Sequence, residues 1–466
     1  GVYCNKRFVC FAIIRLKINF EMEQEKSGEK LKLKEKIGLW AGIAVLTSSI
    51  VGSGIFVSPG GVLNAVHGSV GISLLVWILC GVVAALSSLC YCELGASLNT
   101  SGCDYGNFQL VYGNVVAYVY LITKAFINAS AGISIQVFVK YFISAFVGTD
   151  CPLPSILIKI SSIFVTLSLA FINYRSVRSV LKAEIIFTVG KFLSMGIISV
   201  VGIYNLAQGN MVGQKNFKGA FATDVLQDLT AKDIAVGFYQ GIFPYAGWMS
   251  LNVVAEEMID APKNLPRATL LSLGIVTFMY LAVNVGYFSV LTVQELGTSS
   301  AVALTFANKA LGPMAWLMPV TVCVSTLGNL CAGVLLKSRR AFVAARSGYM
   351  PKIFSMIHVK YHTPGPSLFV GASTSIVFVL IGDVNTLIYA KGFMDWIFIG
   401  ASAASVLILR YTRPDMHRPY KAPIIAPILA CLFPIFFLVL PLLVKPPIFI
   451  LYLVAFWLMI LPIYYL

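Results

Sequence analysis

Charged residues are scarce in this chain, at 11% of 466 residues, whereas a soluble domain is about a quarter charged. The four histidines lie scattered over predicted loops, and no His/Cys cluster has metal-ligand spacing. The sequence contains no GKS or GKT phosphate loop, no repeated arginines of the voltage-sensor type and no TVGYG filter. These absences disfavour a metalloenzyme, an ATP-driven pump and a voltage-gated channel, and we expect no cofactor.

Apolar residues are abundant instead: 58% of the chain is hydrophobic, and the mean hydropathy is +0.85. Apolar stretches of about 20 residues recur from Gly38 onward, each long enough to cross a hydrocarbon core of roughly 30 Å. The pattern predicts an all-α polytopic membrane protein in which residues 38–466 form one transmembrane domain after a cytoplasmic segment, 1–37. The twelve predicted spans are 39–66, 70–97, 107–146, 153–173, 182–206, 233–256, 268–294, 313–336, 366–382, 384–409, 422–443 and 447–466.

The basic residues are distributed unevenly between the predicted loops. With the amino terminus inside, and residues 1–21 left out, the inner segments carry 20 lysines and arginines, whereas the outer ones carry 5. This asymmetry follows the positive-inside rule and places both termini in the cytoplasm. It also accounts for the net charge of +15 without a nucleic-acid partner.

Both ends of the sequence are unusual. Residues 1–21 lack an initiating Met, and Arg15 and Lys17 interrupt their apolar run, so they resemble neither a cleavable signal nor a span. Met22 opens an ordinary cytoplasmic head, and we interpret the preceding residues as a candidate gene-model artefact. The chain stops inside a predicted span, so we expect a further cytoplasmic tail.

One cysteine falls in a loop that the predicted topology places outside. Cys151, in GTDCPLPS, is compatible either with an intermolecular disulfide or with a free thiol. Six other cysteines lie in apolar helices, where small buried hydrophobes are expected: Cys80, Cys90, Cys92, Cys323, Cys331 and Cys431.

Two of the predicted spans contain helix-breaking residues. SSIVGSGIFVSPGGV (48–62) interrupts the first span, and YQGIFPYAGW (239–248) interrupts the sixth. Unwound backbone at membrane depth is tolerated only where it is buried in protein or lines a cavity. Two such breaks, five helices apart, indicate a transporter built from inverted repeats. Freed amides would face anionic groups and freed carbonyls would face cations, and the backbone of an amino acid carries both charges. Close helix packing through small residues is the alternative explanation.

Charged residues inside predicted spans are functional candidates. Lys191 lies in the middle of its helix, where it supplies a fixed cation or a proton carrier at a place where another transporter would bind sodium. Snorkelling to the membrane surface is the alternative. Asp395 and Lys391 are spaced to pair on one helix, or Asp395 serves a binding pocket. Lys124 is equally ambiguous.

Three carboxylates lie near the predicted inner ends of the second and sixth spans: Glu93, Glu256 and Glu257. They suit either inner-gate pairing with basic loop residues or a solvated helix end.

Several sequence blocks in order resemble the light subunits of heteromeric amino-acid transporters, in the amino acid–polyamine–organocation superfamily. The blocks are GSGIFVSPGGVL (52–63), YCELGASL (91–98), FPYAGWMSLN (243–252), EEMIDAPKNLPRA (256–268), SSAVALTFANKALG (299–312) and RPDMHRPYKAP (413–423). The resemblance implies a LeuT-like fold, with helices 1–5 and 6–10 as inverted repeats and helices 11 and 12 peripheral. It also implies sodium-independent amino-acid exchange across the plasma membrane by alternating access.

The resemblance assigns roles to individual residues. Ser53 and Gly54 are expected to donate amides to the substrate carboxylate. Ile50 and Phe243 are expected to offer carbonyls to the amino group, with the Phe243 ring as an outer gate. The implied substrate-binding set is Ile50, Ser53, Gly54, Ile55, Phe243, Ala246 and Asp395.

Two further roles are implied by the same resemblance. Lys191 matches a helix 5 lysine that occupies the sodium position of sodium-coupled relatives. Cys151 matches the cysteine that forms a disulfide with a single-span glycoprotein heavy chain.

The choice of substrate depends on departures from related exchangers. The cystine/glutamate exchanger has arginines where this chain has Ala129–Ser130 and Asp395, which argues against an anionic substrate. The cystine and dibasic exchanger has an aspartate at the position of Ala246, so a small residue here leaves space for a bulkier side chain. We therefore favour neutral amino acids, large or aromatic ones included. Several alternatives remain: a cationic preference through Asp395, a cystine or anionic exchanger of the same family, a channel or receptor with the same helix count, and a transport-inactive scaffold partner.

Overall fold

Apolar helices dominate the part of the chain that the structure describes. The structure is a computed structural model that describes residues 37–98, 104–127, 129–148, 153–175, 177–221, 228–299, 301–346, 348–358, 363–444 and 448–465. Within these ranges the only β-type pairing is an isolated parallel bridge between Ile37 and Met258. The all-α class predicted from the sequence is therefore confirmed.

Eighteen α-helices have bounds within the described ranges. In chain order they are α1 (Leu39–Ile50), α2 (Ser58–Ala65), α3 (Val70–Leu98), α4 (Asp104–Tyr112), α5 (Asn114–Phe126), α6 (Ala129–Val147), α7 (Ser155–Arg175), α8 (Val177–Ala207), α9 (Met211–Lys218), α10 (Ala231–Ile242), α11 (Ala261–Val290), α12 (Val293–Thr298), α13 (Val302–Ala310), α14 (Leu317–Arg346), α15 (Gly365–Ile381), α16 (Val384–Thr412), α17 (Ile425–Val444) and α18 (Ile448–Tyr465).

Seven helical stretches among the described residues are long and apolar enough to cross a membrane. They are Val70–Ser97, Asn114–Val147, Ser155–Arg175, Ile186–Ala207, Ala261–Val290, Gly312–Cys331 and Val384–Thr412. Shorter apolar helices lie in four more of the predicted spans: Leu39–Ile50, Gly365–Ile381, Ile425–Val439 and Leu451–Tyr465. A multi-pass helical architecture is thus supported, while the count of twelve spans and the inverted repeat stay predictions.

The third predicted span differs from a single continuous helix. Residues 107–146 are divided among α4, α5 and α6. The first division falls at Gly113, and the second follows Ile127, whose backbone is extended with φ −87° and ψ 100°. An extended residue cannot continue the i→i−4 hydrogen-bond pattern, so α5 ends there.

The helices pack around α11 and α14. Helix α11 contacts α1, α3 and α8, while α14 contacts α6, α8 and α15. This arrangement buries both interrupted helices within the bundle, since α1 lies against α11 and α10 lies against α2 and α3. Large apolar side chains remain exposed on the outside, such as Phe164 and Phe171 of α7, which suits a surface in contact with lipid.

Candidate functional site

The first broken helix lies where the glycines of its sequence predicted it. Helix α1 ends at Ile50, a short 3₁₀ turn covers Gly54–Phe56, and α2 begins at Ser58. Pro59 occupies the first turn of α2, where its missing N–H is not needed. The break is buried: Ser53 is 3% exposed and Ile55 is 0% exposed. We call residues 51–57 the first break.

Backbone groups in the first break are left without protein partners. The turn accounts for only two local bonds beyond the end of α1, from Phe56 N–H to the Ser53 carbonyl (3.2 Å) and from Val57 N–H to the Gly54 carbonyl (3.1 Å). Within the described ranges, the N–H groups of Ser53, Gly54 and Ile55 donate to no backbone or side-chain acceptor of the protein. The carbonyl of Ile50 likewise receives no protein donor there. Because buried backbone groups are normally paired, this segment is suited to a ligand that carries both an anion and a cation.

The second broken helix is longer and more open. Helix α10 ends at Ile242, and 3₁₀ turns at Phe243–Tyr245 and Trp248–Glu257 precede α11. Phe243 and Ala246 are half-buried, whereas Tyr245 is fully buried. We call residues 243–257 the second break. It leaves its side chains more accessible than those of the first break.

Three carbonyls of the second break already accept hydrogen bonds within the protein. The Phe243 carbonyl accepts from Ala246 N–H at 3.1 Å, and the Gly247 carbonyl accepts from Ser250 N–H at 3.0 Å. The Pro244 carbonyl accepts from the Tyr280 hydroxyl at 2.8 Å. The expected role of the Phe243 carbonyl toward a substrate amine therefore depends on its second lone pair.

The two breaks meet at two glycines. A Cβ atom on Gly54 would lie 2.7 Å from the Cα of Pro244, so only a glycine permits this approach. Gly247 has φ +112° and places its Cα against α1, where an added Cβ would lie 2.6 Å from the Ser49 carbonyl oxygen. The structure thus brings together the predicted residues of both breaks.

Lys191 is buried beside the end of α1. Only 1% of the residue is exposed, so it does not snorkel to the membrane surface. Its Nζ donates to the Ser48 carbonyl (3.1 Å) and to Asn329 Oδ1 (2.9 Å). Lys191 therefore connects the helix before the first break with α14. Sequence reasoning missed Asn329, although a lone amide in the apolar stretch TLGNLCAG is a recognisable signal.

Helix α6 also holds the first break. Ser53 Oγ lies 3.1 Å from Ser134 Oγ. The Tyr141 hydroxyl donates to the Phe56 carbonyl (2.9 Å) and accepts from Ala303 N–H (3.1 Å). Neither Ser134 nor Tyr141 was singled out from the sequence, because one hydroxyl in a long helix carries no positional signal of its own.

Asp395 lies between two lysines. Its Oδ1 is 2.5 Å from Lys124 Nζ, and its Oδ2 is 2.5 Å from Lys391 Nζ. The pairing of Lys391 with Asp395 predicted from their spacing is present, and Lys124 is a third member. Lys391 Nζ also lies 5.7 Å from the centre of the Phe243 ring. We call Lys124, Asp395 and Lys391 the triad; it adjoins the second break through Phe243.

Glu93 forms an ion pair at the far end of α3. Arg410 binds both of its carboxylate oxygens, with Nε at 2.9 Å from Oε1, and Arg418 Nε lies 3.8 Å away. The backbone N–H of Ala422 donates to the same carboxylate at 2.8 Å. For Glu93, pairing with basic residues is thus the alternative that the structure supports.

Some predicted sites fall outside the described part of the chain. Cys151 and residues 1–36 belong to this group, as do the side chains of Glu256 and Glu257. The roles expected for them stay predictions.

Comparison with known proteins identifies relatives over nearly the whole chain. The amino acid permease family model matches residues 37–464. The large neutral amino acids transporter small subunit 2 of Mus musculus is 36% identical over 428 residues, which cover 91% of this chain and 80% of the relative. The Asc-type amino acid transporter 1 of Homo sapiens is 36% identical over 90% of this chain and 80% of its own length. The b(0,+)-type amino acid transporter 1 of Mus musculus is 34% identical over 91% and 87%.

Proposed function

The chain belongs to the amino acid permease family and is a transporter rather than an enzyme, and we propose that it exchanges neutral amino acids without sodium. The observation that carries this proposal is the first break, where unpaired N–H groups of Ser53, Gly54 and Ile55 lie a few residues from the unpaired Ile50 carbonyl. Free donors suit a substrate carboxylate, and a free acceptor suits its ammonium group. Recognition by backbone groups fits any amino acid, so the substrate class depends on the second break.

The residue at position 246 supports a neutral preference. Ala246 is small, uncharged and half-buried. Lys391 lies against the Phe243 ring and is paired with Asp395 in the triad. The second break therefore offers a substrate side chain an uncharged residue at position 246, and the carboxylate of Asp395 is already paired.

Lys191 supports independence from sodium. It is a fixed cation that is buried at the end of α1 and bonded to a backbone carbonyl there. The Nζ group donates hydrogen bonds at this position and so takes a structural role that a bound cation would otherwise supply. We propose that it holds the first break in its binding conformation in sodium-free medium.

We propose that the protein transports its substrates across the plasma membrane by alternating access. Its proposed topology has twelve spans, two five-helix inverted repeats and both termini in the cytoplasm. It is linked through Cys151 to a single-span glycoprotein heavy chain. The two breaks, five predicted spans apart, support the repeat. The small-subunit name of one relative supports a partner chain.

The exchange activity is tested in liposomes that contain the transporter with a competent heavy chain. Labelled leucine loaded inside should leave rapidly only when unlabelled neutral amino acid is added outside, with choline in place of sodium. Leucine efflux that is equally fast into amino-acid-free buffer indicates a channel. Absence of any trans-stimulated efflux, in protein that is folded and paired, contradicts the proposal.

The disulfide is tested separately on a non-reducing gel. Cys151→Ser should remove the high-mass band that is sensitive to reducing agent, whereas Cys431→Ser, a change in a half-buried helix cysteine, should leave the band. A band that persists in Cys151→Ser contradicts the proposed link.

A further inference from the structure

The triad is a charged cluster inside the helical bundle that the backbone site does not require. Lys124 lies on α5, and Asp395 and Lys391 lie one turn apart on α16. Their side chains are 10%, 20% and 15% exposed, so each remains partly accessible. Charged groups in such a position are costly and usually functional.

The charges of the triad do not cancel. Two ammonium groups surround one carboxylate, which leaves a formal charge of +1. Asp104, the first residue of α4, accepts hydrogen bonds from the hydroxyls of Tyr120 and Ser402. Burial raises the pKa of Asp104, whereas these hydroxyls and the charge of Lys124 lower it.

The hydrogen-bonding capacity of the triad is also asymmetric. Each oxygen of Asp395 holds one ammonium group at 2.5 Å, so a cationic ligand that approaches the carboxylate is repelled by two positive charges. An ammonium group has three N–H donors. In the described contacts Lys124 and Lys391 each use one donor on Asp395. The triad therefore presents donors and positive charge.

The position of the triad connects it to the proposed substrate site. Lys391 Nζ is 5.7 Å from the centre of the Phe243 ring, and Phe243 is the first residue of the second break. Pro244, the next residue, contacts Gly54 of the first break. A substrate held at the first break thus has Phe243 and then Lys391 on the side toward α16.

We propose that Lys124, Asp395 and Lys391 form a side-chain subsite that excludes cationic side chains and takes a neutral side chain carrying a hydrogen-bond acceptor. This inference rests on the proposed amino-acid exchange. It replaces the alternative in which Asp395 attracts a cationic substrate, because the carboxylate is enclosed by two cations. Lys124 and Lys391 are the residues that determine this specificity.

The experiment measures competition against labelled norleucine exchange in heavy-chain-paired liposomes. The probes are glutamine, lysine, glutamate and unlabelled norleucine, which have side chains of comparable reach and differ in charge and acceptor groups. In the unchanged protein, glutamine should compete more strongly than norleucine, and lysine should compete at least about tenfold more weakly than glutamine. Lysine that competes as well as glutamine overturns the inference.

Variants separate a subsite from a structural role. Lys391→Met should reduce the advantage of glutamine over norleucine by about tenfold, because a charge-assisted hydrogen bond is lost, and should improve competition by lysine. Lys391→Arg keeps the charge and should keep the order of the probes. Equal losses for all four probes in Lys391→Met overturn the inference.

A second variant covers the case in which Lys391→Met does not fold. Asp395→Asn raises the cluster charge from +1 to +2 and should improve glutamate relative to norleucine. The inference is overturned if glutamate competes no better, relative to norleucine, in Asp395→Asn than in the unchanged protein. If the unchanged protein exchanges none of the probes, the proposed function itself fails, and that outcome is distinct from unaltered ratios in an active protein.

Discussion

The two breaks differ in what they leave available to a substrate. The first break is short and buried, and the N–H groups of Ser53, Gly54 and Ile55 and the Ile50 carbonyl lack protein partners within the described ranges. The second break is longer. Its Phe243, Pro244 and Gly247 carbonyls accept hydrogen bonds from the protein, and its Phe243 and Ala246 side chains are half-buried.

This difference separates two tasks. In the proposed function, the first break recognises the groups that all amino acids share, since it offers backbone donors and acceptors. We propose that the second break and the adjoining triad contact the substrate side chain, which distinguishes one amino acid from another. Changes at the first break should therefore affect every substrate alike, whereas changes at the second break should alter selectivity.

The largest effect is expected at the contact between the breaks. Gly54→Ala places a Cβ 2.7 Å from the Pro244 Cα, and both backbones must move apart. Overpacking of this kind costs about 1–3 kcal/mol, so exchange of every amino acid should fall by about tenfold to a hundredfold. Initial exchange rates at matched surface amounts provide the measurement.

Gly274→Ala is the matched control for that change. Gly274 lies in α11, and an added Cβ would meet nothing within 4 Å. Its exchange rate should stay near that of the unchanged protein. A Gly54→Ala protein that is as active as Gly274→Ala would show that the breaks do not need this close contact.

A smaller but equally uniform effect is expected at Lys191. Lys191→Met removes the donor that holds the Ser48 carbonyl and Asn329 Oδ1. Because charge-assisted hydrogen bonds contribute about 1.5–3 kcal/mol each, exchange should fall about tenfold for all substrates, with selectivity retained. The measurement is the exchange rate for leucine, alanine and glutamine.

The control is Lys159→Met. The Nζ of this exposed lysine donates to the Leu380 carbonyl, and that contact includes no residue of either break. It should leave exchange nearly unchanged. If Lys191→Met lowers the exchange rate of only one of the three substrates, the first break does not act on all substrates alike, and the prediction is wrong.

A selective effect is expected at the second break. Ala246→Leu fills the space beside Phe243, so exchange of phenylalanine should fall about tenfold relative to alanine. Met249→Leu, a volume-conserving change at a half-buried neighbour, should keep the ratio. The ratio of the two exchange rates is the measurement. Equal losses of both substrates in Ala246→Leu would assign this residue to general recognition.

The smallest effect concerns the support of α2 by α12. Glu295 caps α12, and Lys309 and the Thr292 groups hold its pKa below the ordinary value of 4.5. A lowered folded-state pKa contributes stability that is present above pH 4.5 and is lost as the pH falls through the folded pKa. Melting temperature should therefore decline below pH 4.5 in the unchanged protein and less so in Glu295→Gln. The effect is small because both side chains are over a third exposed.

An exposed carboxylate provides the control for this pH dependence. Asp415→Asn should retain the decline of the unchanged protein. If the melting temperature of Glu295→Gln falls below pH 4.5 as steeply as that of Asp415→Asn, the Glu295–Lys309 pair does not contribute to this pH dependence.

The sequence predicted the positions of both breaks well, because glycine and proline disfavour a helix at the residues where they occur. GSG and FPYAGW lie where the helices end, and no long-range contact is needed to recognise them. The division of the third predicted span was missed at Ile127, since the apolar stretch Asn114–Val147 runs across that residue without a break in hydropathy. A change in φ and ψ has no hydropathy signal.

Partners in space were harder to predict than positions. The pairing of Lys391 with Asp395 follows from helical spacing, but Lys124 lies 271 residues away from Asp395. The same holds for Asn329 and Lys191, which are 138 residues apart. Such contacts depend on which helices pack together, and a single sequence carries no information on that.

The most direct measurement of the central claim uses substrate analogues that lack one backbone group. Leucine, leucinol (no carboxylate) and 4-methylpentanoic acid (no amine) are compared as external drivers of labelled leucine efflux. We expect that only leucine stimulates efflux, because the first break must bind both the carboxylate and the ammonium group of the substrate. Efflux that leucinol or 4-methylpentanoic acid stimulates as strongly as leucine would contradict it.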